Sequence, residues 1–231
     1  TRSRSLPTPA RLSPGYFAMV MATGIVAVGA GQRGWETVSV ILIVLTAIEY
    51  GILVLLTLWR LIAFRAEVVA DLHDSRTAFL FFTFVAGTNV LAVALAGRHL
   101  LVASVALLCV GAAVWIVLGY TVPWVAVLSR DERPVVAEAN GTWFIWVVAS
   151  QSVAVAAATL EPHVESARDA LAIVAVASWS VGVVLYVACA VFVSLRLMLY
   201  PLDPRELDPP YWVSMGAVAI TVVAGARIVE M

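Results

Sequence analysis

Thr23, Asn89, Ser150, Gln151, Ser152 and Thr221 place hydroxyls and carboxamides inside otherwise apolar stretches of this 231-residue chain. Uncharged donors in such surroundings either replace part of the water shell of a desolvated solute or tie helices together by hydrogen bonds. An amide in mid-membrane is costly without partners, so Gln151 should face protein or water, not lipid. Glu49 also lies inside an apolar run, where an ionised carboxylate is expensive unless paired or hydrated. It therefore reads as a neutral or paired group at a helix contact, or as a proton-coupling group. His73, His99 and His163 fall in three different connections and cannot assemble one metal site. Cys109 and Cys189 sit in apolar runs and read as small buried hydrophobes. The chain has no lysine, which excludes a Schiff-base or phosphate-loop lysine. No catalytic constellation, metal or cofactor is expected.

The elements that must position these groups follow from composition. With 62% hydrophobic and 13% charged residues, the chain departs far from the roughly 25% charged share of soluble domains. It reads as an all-α polytopic membrane protein. A net charge of -1 offers no basic surface for nucleic acid; membrane lipids and small solutes are the expected partners. After a tail over 1–13, apolar runs predict helices near 16–32, 37–59, 77–96, 100–122, 142–160, 170–195 and 211–226. Gly119 and Pro123 should end or bend the fourth. Every connection is too short for a folded soluble domain.

The stretch Asn140–Leu160 shows how the odd-numbered helices begin. A turn and cap, Asn140-Gly141-Thr142, leads into Trp143, Phe144 and Trp146. Related starts precede Phe17, Phe79 and Trp212, at intervals of roughly 60 to 70 residues, and each interval contains a second apolar run. The chain therefore reads as repeated helical hairpins. Asn89 and Gln151 both fall in odd helices, as do Thr23, Thr88 and Thr221, which suggests odd helices along a polar path and even helices outside. Gly24, Gly87 and Gly216 permit close helix contact, or would leave a narrow lumen open at their level.

Arginines fix the expected orientation. Arg2, Arg4, Arg11, Arg60, Arg65, Arg76, Arg130, Arg133, Arg196 and Arg205 lie on one side; Arg33, Arg98, Arg168 and Arg227 lie on the other. The positive-inside rule puts the N-terminus in the cytoplasm of a multi-pass plasma-membrane protein, with Asp131 inside and Glu165 outside. The odd helices then point their positive dipole ends at the cytoplasmic mouth. Arg227 and Arg33 end the seventh and first helices at similar depth, where they would anchor to lipid headgroups or concentrate anions.

Three segments carry a resemblance: SPGYFAMVMATGIVAVG at 13–29, NGTWFIWVVASQSVAV at 140–155 and PPYWVSMGAVAITVVAGARI at 209–228. The chain resembles the tellurite-resistance/C4-dicarboxylate transporter family, which includes slow anion channels and malate permease. The resemblance implies ten helices in five hairpins, with odd helices around a central pore and even helices outside, commonly as a homotrimer. Seven helices of that plan are present, so the ninth helix, which carries the pore-blocking phenylalanine in relatives, has no counterpart here. The implied function is passage of small anions, with C4-dicarboxylates such as malate as the implied substrates, through a channel or carrier. The set of path residues expected is Thr23, Gly24, Gly87, Asn89, Ser150, Gln151, Gly216, Thr221 and Arg227. A seven-helix receptor or structural membrane protein is the alternative; the internal repeat argues against a receptor, and the missing lysine excludes Schiff-base retinal.

Overall fold

The computed structural model describes residues 9–128, 135–201 and 209–231. Arg2, Arg4, Arg130, Asp131, Arg133, Arg205 and Asp208 lie outside the described residues. Eight α-helices are present among those described: α1 Phe17–Gln32, α2 Glu36–Ala63, α3 Arg65–His73, α4 Phe82–Ala96, α5 Leu101–Pro123, α6 Phe144–Leu160, α7 Arg168–Leu199 and α8 Val213–Val229. No strand occurs among the described residues. Seven helical stretches are long and apolar enough to cross a membrane, and α3 is the short helix that is not among them. The molecule is a multi-pass membrane protein.

The helices form two rows. In the inner row α1 packs on α4, α4 on α6, and α6 on α8. In the outer row α2 packs on α1 and touches α4, α5 bridges α4 and α6, and α7 bridges α6 and α8. The odd-numbered membrane helices of the sequence thus become α1, α4, α6 and α8. Small side chains make the inner row tight: Ala86, Ala92 and Ala94 on α4 and Ala149, Ala154 and Ala157 on α6 are buried. In lipid, packing of this kind and interhelical hydrogen bonds replace the hydrophobic drive that joins helices in water. Helices of the outer row each keep a lipid-ready face, exemplified by Ile48 and Leu55, Ile116 and Val117, and Val184 and Met198.

Two breaks have local causes. Pro123 lacks an N–H for the helical ladder, and α5 gives way there to a π-helical turn over Trp124–Leu128. Between α4 and α5 the chain reverses through Gly97, Arg98 and His99. His99 takes a left-handed backbone (φ 59°), a conformation that histidine tolerates better than branched residues. That reversal holds Arg98 at the end of the inner row.

Candidate functional site

Each inner helix opens with a 3₁₀ turn: Pro14–Tyr16, Ala78–Phe81, Gly141–Trp143 and Pro209–Trp212. Neighbouring turns touch in chain order, so the four starts form a continuous rim, here called the near side. The α-helices proper begin at Phe17, Phe82, Phe144 and Val213. The repeat register therefore runs through Phe82 and Val213 instead of Phe79 and Trp212, because those two residues still belong to the 3₁₀ turns. Ser13 Oγ accepts from the Gly15 N–H at 3.2 Å, and Asn140 Oδ1 accepts from the Thr142 N–H at 2.8 Å. These caps satisfy N–H groups that a helix start leaves without partners. A recess of about 150 Å³ lies beside the α6 and α8 starts, lined by Arg76, Glu138, Asn140, Thr142, Arg196 and Tyr211.

In the corrected register Asn89 and Gln151 occupy equivalent positions, seven residues into α4 and α6, and Gly24 is their counterpart in α1. All three are buried, and both amides have no exposed surface. Both amides pack against glycines of the outer row. Asn89 Nδ2 donates to Ser152 Oγ at 3.0 Å, and a methyl at Gly111 of α5 would come within 2.6 Å of Asn89 Oδ1. Gln151 Nε2 donates to the Trp179 carbonyl of α7 at 3.3 Å, and a methyl at Gly182 would come within 2.7 Å of Gln151 Cδ. Each amide thus fills the gap left by a glycine on the outer helix of its own hairpin. The first hairpin swaps the partners: Gly24 is on the inner helix, and a methyl there would meet Thr46 of α2 at 3.2 Å and Val90 of α4 at 2.5 Å. Asn89 Oδ1 and Gln151 Oε1 have no hydrogen-bond partner among the described residues.

The remaining sequence candidates are spread along the inner row. Thr23 Oγ1 donates to Glu49 Oε1 at 3.4 Å across the α1–α2 contact, and Glu49 Oε2 is buried with no partner among the described residues. Gly87 lets α4 approach α1, since a methyl there would lie 3.3 Å from the Phe17 carbonyl oxygen. Ser150 Oγ accepts from Trp115 Nε1 at 2.9 Å, which joins α6 to α5. Thr221 Oγ1 bonds its own helix at Ala217, while its carbonyl accepts from Trp179 Nε1 at 3.1 Å. Among the described residues nothing lies within 4 Å of where a side chain at Gly216 would begin.

At the opposite end, here the far side, a recess of about 300 Å³ receives residues from all four inner helices. Gln32 comes from α1, Val93 and the following Arg98 from α4 and its turn, Thr159 from α6 and Arg227 from α8. Glu36 and Ser39 of α2 close one flank. Arg98 Nη1 contacts Glu36 Oε2 at 2.6 Å, and its Nη2 donates to Ser39 Oγ at 2.8 Å. Ser39 in turn donates to the Ala27 carbonyl at 2.8 Å. Arg227 contacts Glu230 at 3.2 Å and its side chain is 42% exposed. Arg33 is exposed and does not line the recess. Gln32, Arg98 and Thr159 were not singled out in the sequence as path residues. The spacing of the repeat offered one signal for Arg98, because it follows the end of an inner helix as Arg33 does.

A family model described as voltage-dependent anion channel matches residues 11–230, almost the whole chain. The chain belongs to this family. Two curated proteins of Mycobacterium tuberculosis, one from strain CDC 1551 / Oshkosh and one from strain ATCC 25618 / H37Rv, are each 68% identical to it over 47 residues. That match covers 20% of this chain and 24% of each relative, and both are described as uncharacterized membrane proteins. No solved structure matches.

For a member of an anion channel family, the ends of the inner row differ in electrostatic character. The near side gathers helix N-termini, which carry positive partial charge. The far side gathers C-termini, whose unpaired carbonyls are negative and would repel an anion. Arg98 and Arg227 place cationic groups at that end, each paired with a carboxylate, Glu36 and Glu230. Guanidinium carries its charge at any pH near neutrality and offers paired donors to an oxyanion.

Proposed function

We propose that this chain passes small anions across the plasma membrane along the inner row, from the rim of helix starts to the arginine-bearing recess. One observation carries the reading: α1, α4, α6 and α8 each give a residue to a single recess that also holds two guanidiniums. The near side is assigned to the cytoplasm because Arg11, Arg60, Arg65, Arg76 and Arg196 lie there. Asn89 and Gln151 support the path by holding helices together: Asn89 bonds α4 to α6 and packs on α5 at Gly111, and Gln151 bonds α6 to α7. Thr159, Gln32 and the two arginines are the side chains that meet the anion at the far mouth. C4-dicarboxylates are the substrate class favoured by the family resemblance, and Glu49 is read as a contact between α1 and α2. The same resemblance supports a ten-helix ring and a homotrimer, with the apolar faces of the outer row meeting other copies or lipid.

Reconstituted vesicles test this reading through Arg227. Arg227→Gln should lower anion flux at low ionic strength, by roughly two- to tenfold, because a charge that focuses anions acts through a field that salt screens. The deficit should shrink at high salt. A loss that persists at high salt and is not restored by Arg227→Lys indicates direct bidentate contact instead. Flux equal to the parent for both variants at both salts would remove Arg227 from the path and leave it as a lipid anchor.

A further inference from the structure

Glu36 closes a flank of the far recess and occupies the guanidinium that faces it. Its Oε2 lies 2.6 Å from Arg98 Nη1, the distance of a charge-assisted hydrogen bond. The two partners are held unequally. Arg98 is 30% exposed and fixed from behind by Ser39, which is buried and itself anchored to the Ala27 carbonyl. Glu36 is 63% exposed, stands on the first turn of α2, and has Arg98 as its side-chain partner among the described residues. The pair is therefore a rigid cation carrying a loosely held carboxylate. Gly31 leaves room for the Ser39–Arg98 contact, since a methyl there would lie 3.1 Å from Ser39 Oγ and 4.0 Å from Arg98 Nη2.

We propose that Glu36 is a tethered competitor: its carboxylate occupies Arg98 until an anion entering the far recess displaces it. The inference rests on reading the recess as part of the anion route and deepens it by naming what sets its apparent affinity. Exchange is feasible because a solvent-exposed ion pair contributes little net stability, so the incoming anion replaces one weak contact with a similar one. The released carboxylate swings into water from an exposed helix start. Arg98, kept in place by Ser39, needs no rearrangement to receive the anion. A fixed carboxylate at this point would hold occupancy low and keep bound anions from lingering, which conduction requires.

The test is the half-saturating anion concentration in oriented vesicles at fixed ionic strength, with chloride, nitrate and malate each presented on the far side. Glu36→Gln should lower that concentration, by up to about fivefold for removal of one weak ion pair, with flux normalised to inserted protein. Glu36→Asp, which keeps the charge on a shorter stem, should fall between parent and Gln. Arg98→Gln should raise the half-saturating concentration, and Glu36→Gln should have no further effect in that background. If Arg98→Gln raises it but both Glu36 variants match the parent or exceed it, Glu36 is a brace and the competitor proposal is overturned while the anion recess stands. If no variant at Glu36, Arg98 or Arg227 changes it for any of the three anions, the recess is not on the route and both readings fall together.

Discussion

Gly141→Ala is expected to yield a protein that inserts poorly and carries no anions. A methyl at Gly141 would overlap the main chain of Pro210 and Tyr211, where the start of α6 crosses the start of α8. Overpacking a well-filled site typically costs about 1–3 kcal/mol, and relief usually comes from a side chain that can rotate away. Here the obstacle is backbone, so the cost should lie at or above the top of that range. The rim turns Gly141–Trp143 and Pro209–Trp212 would have to separate, which would open the near-side recess between them. Gly216→Ala is the control: among the described residues nothing lies within 4 Å of the added methyl, and alanine is favoured over glycine inside a helix by about 1 kcal/mol. Thermal unfolding in detergent should show a large loss for Gly141→Ala and no loss for Gly216→Ala. Equal behaviour of the two variants would mean that the rim contact does not hold the inner row.

The second large effect belongs to Gly182→Ala. The added methyl would run into the buried amide of Gln151, which has no exposed surface and little freedom to move. A destabilisation of about 1–3 kcal/mol follows, with α7 forced away from α6. The decisive observation is compensation. Gln151→Ala removes the obstructing amide, so Gly182→Ala should cost less in that background than in the parent. Coupling between touching residues typically amounts to about 0.5–3 kcal/mol in a double-mutant cycle. Strict additivity would show that the amide and the glycine do not pack as a unit. Gly111→Ala and Asn89 should repeat the pattern one hairpin earlier, since the methyl meets Asn89 Oδ1 at 2.6 Å.

The helices and their alternation were legible because apolar length and punctuation by Gly, Pro and charge are local properties. The faces were harder to assign. In this chain lipid and protein neighbours both favour apolar side chains, so periodicity does not distinguish which of them a given face meets. The sequence argued that Gln151 must face something other than lipid, and it does; that its partner is a glycine on the next helix is information carried only by packing. The repeat register slipped at Phe79 for a similar reason, because aromatic residues both fill the 3₁₀ turn and start the helix, and Phe79 and Phe82 are both fully buried. Arg98 appeared in the sequence as part of a tight turn. Its pairing with Glu36 joins residues 62 apart in the chain, and no spacing rule connects them.

The path itself is tested most directly at Thr159, the contribution of α6 to the far recess. With Cys109 and Cys189 replaced by alanine, Thr159→Cys should react with a membrane-impermeant, negatively charged thiol reagent added outside intact cells. Reaction should cut anion flux severalfold, because a fixed negative charge would then stand in the recess that Arg98 and Arg227 also line. Val184→Cys, on the exposed face of the outer-row helix α7, should leave flux unchanged under the same treatment. Labelling of Thr159→Cys without any loss of flux would contradict the inner row as the route, and labelling only from the cytoplasmic face would reverse the orientation.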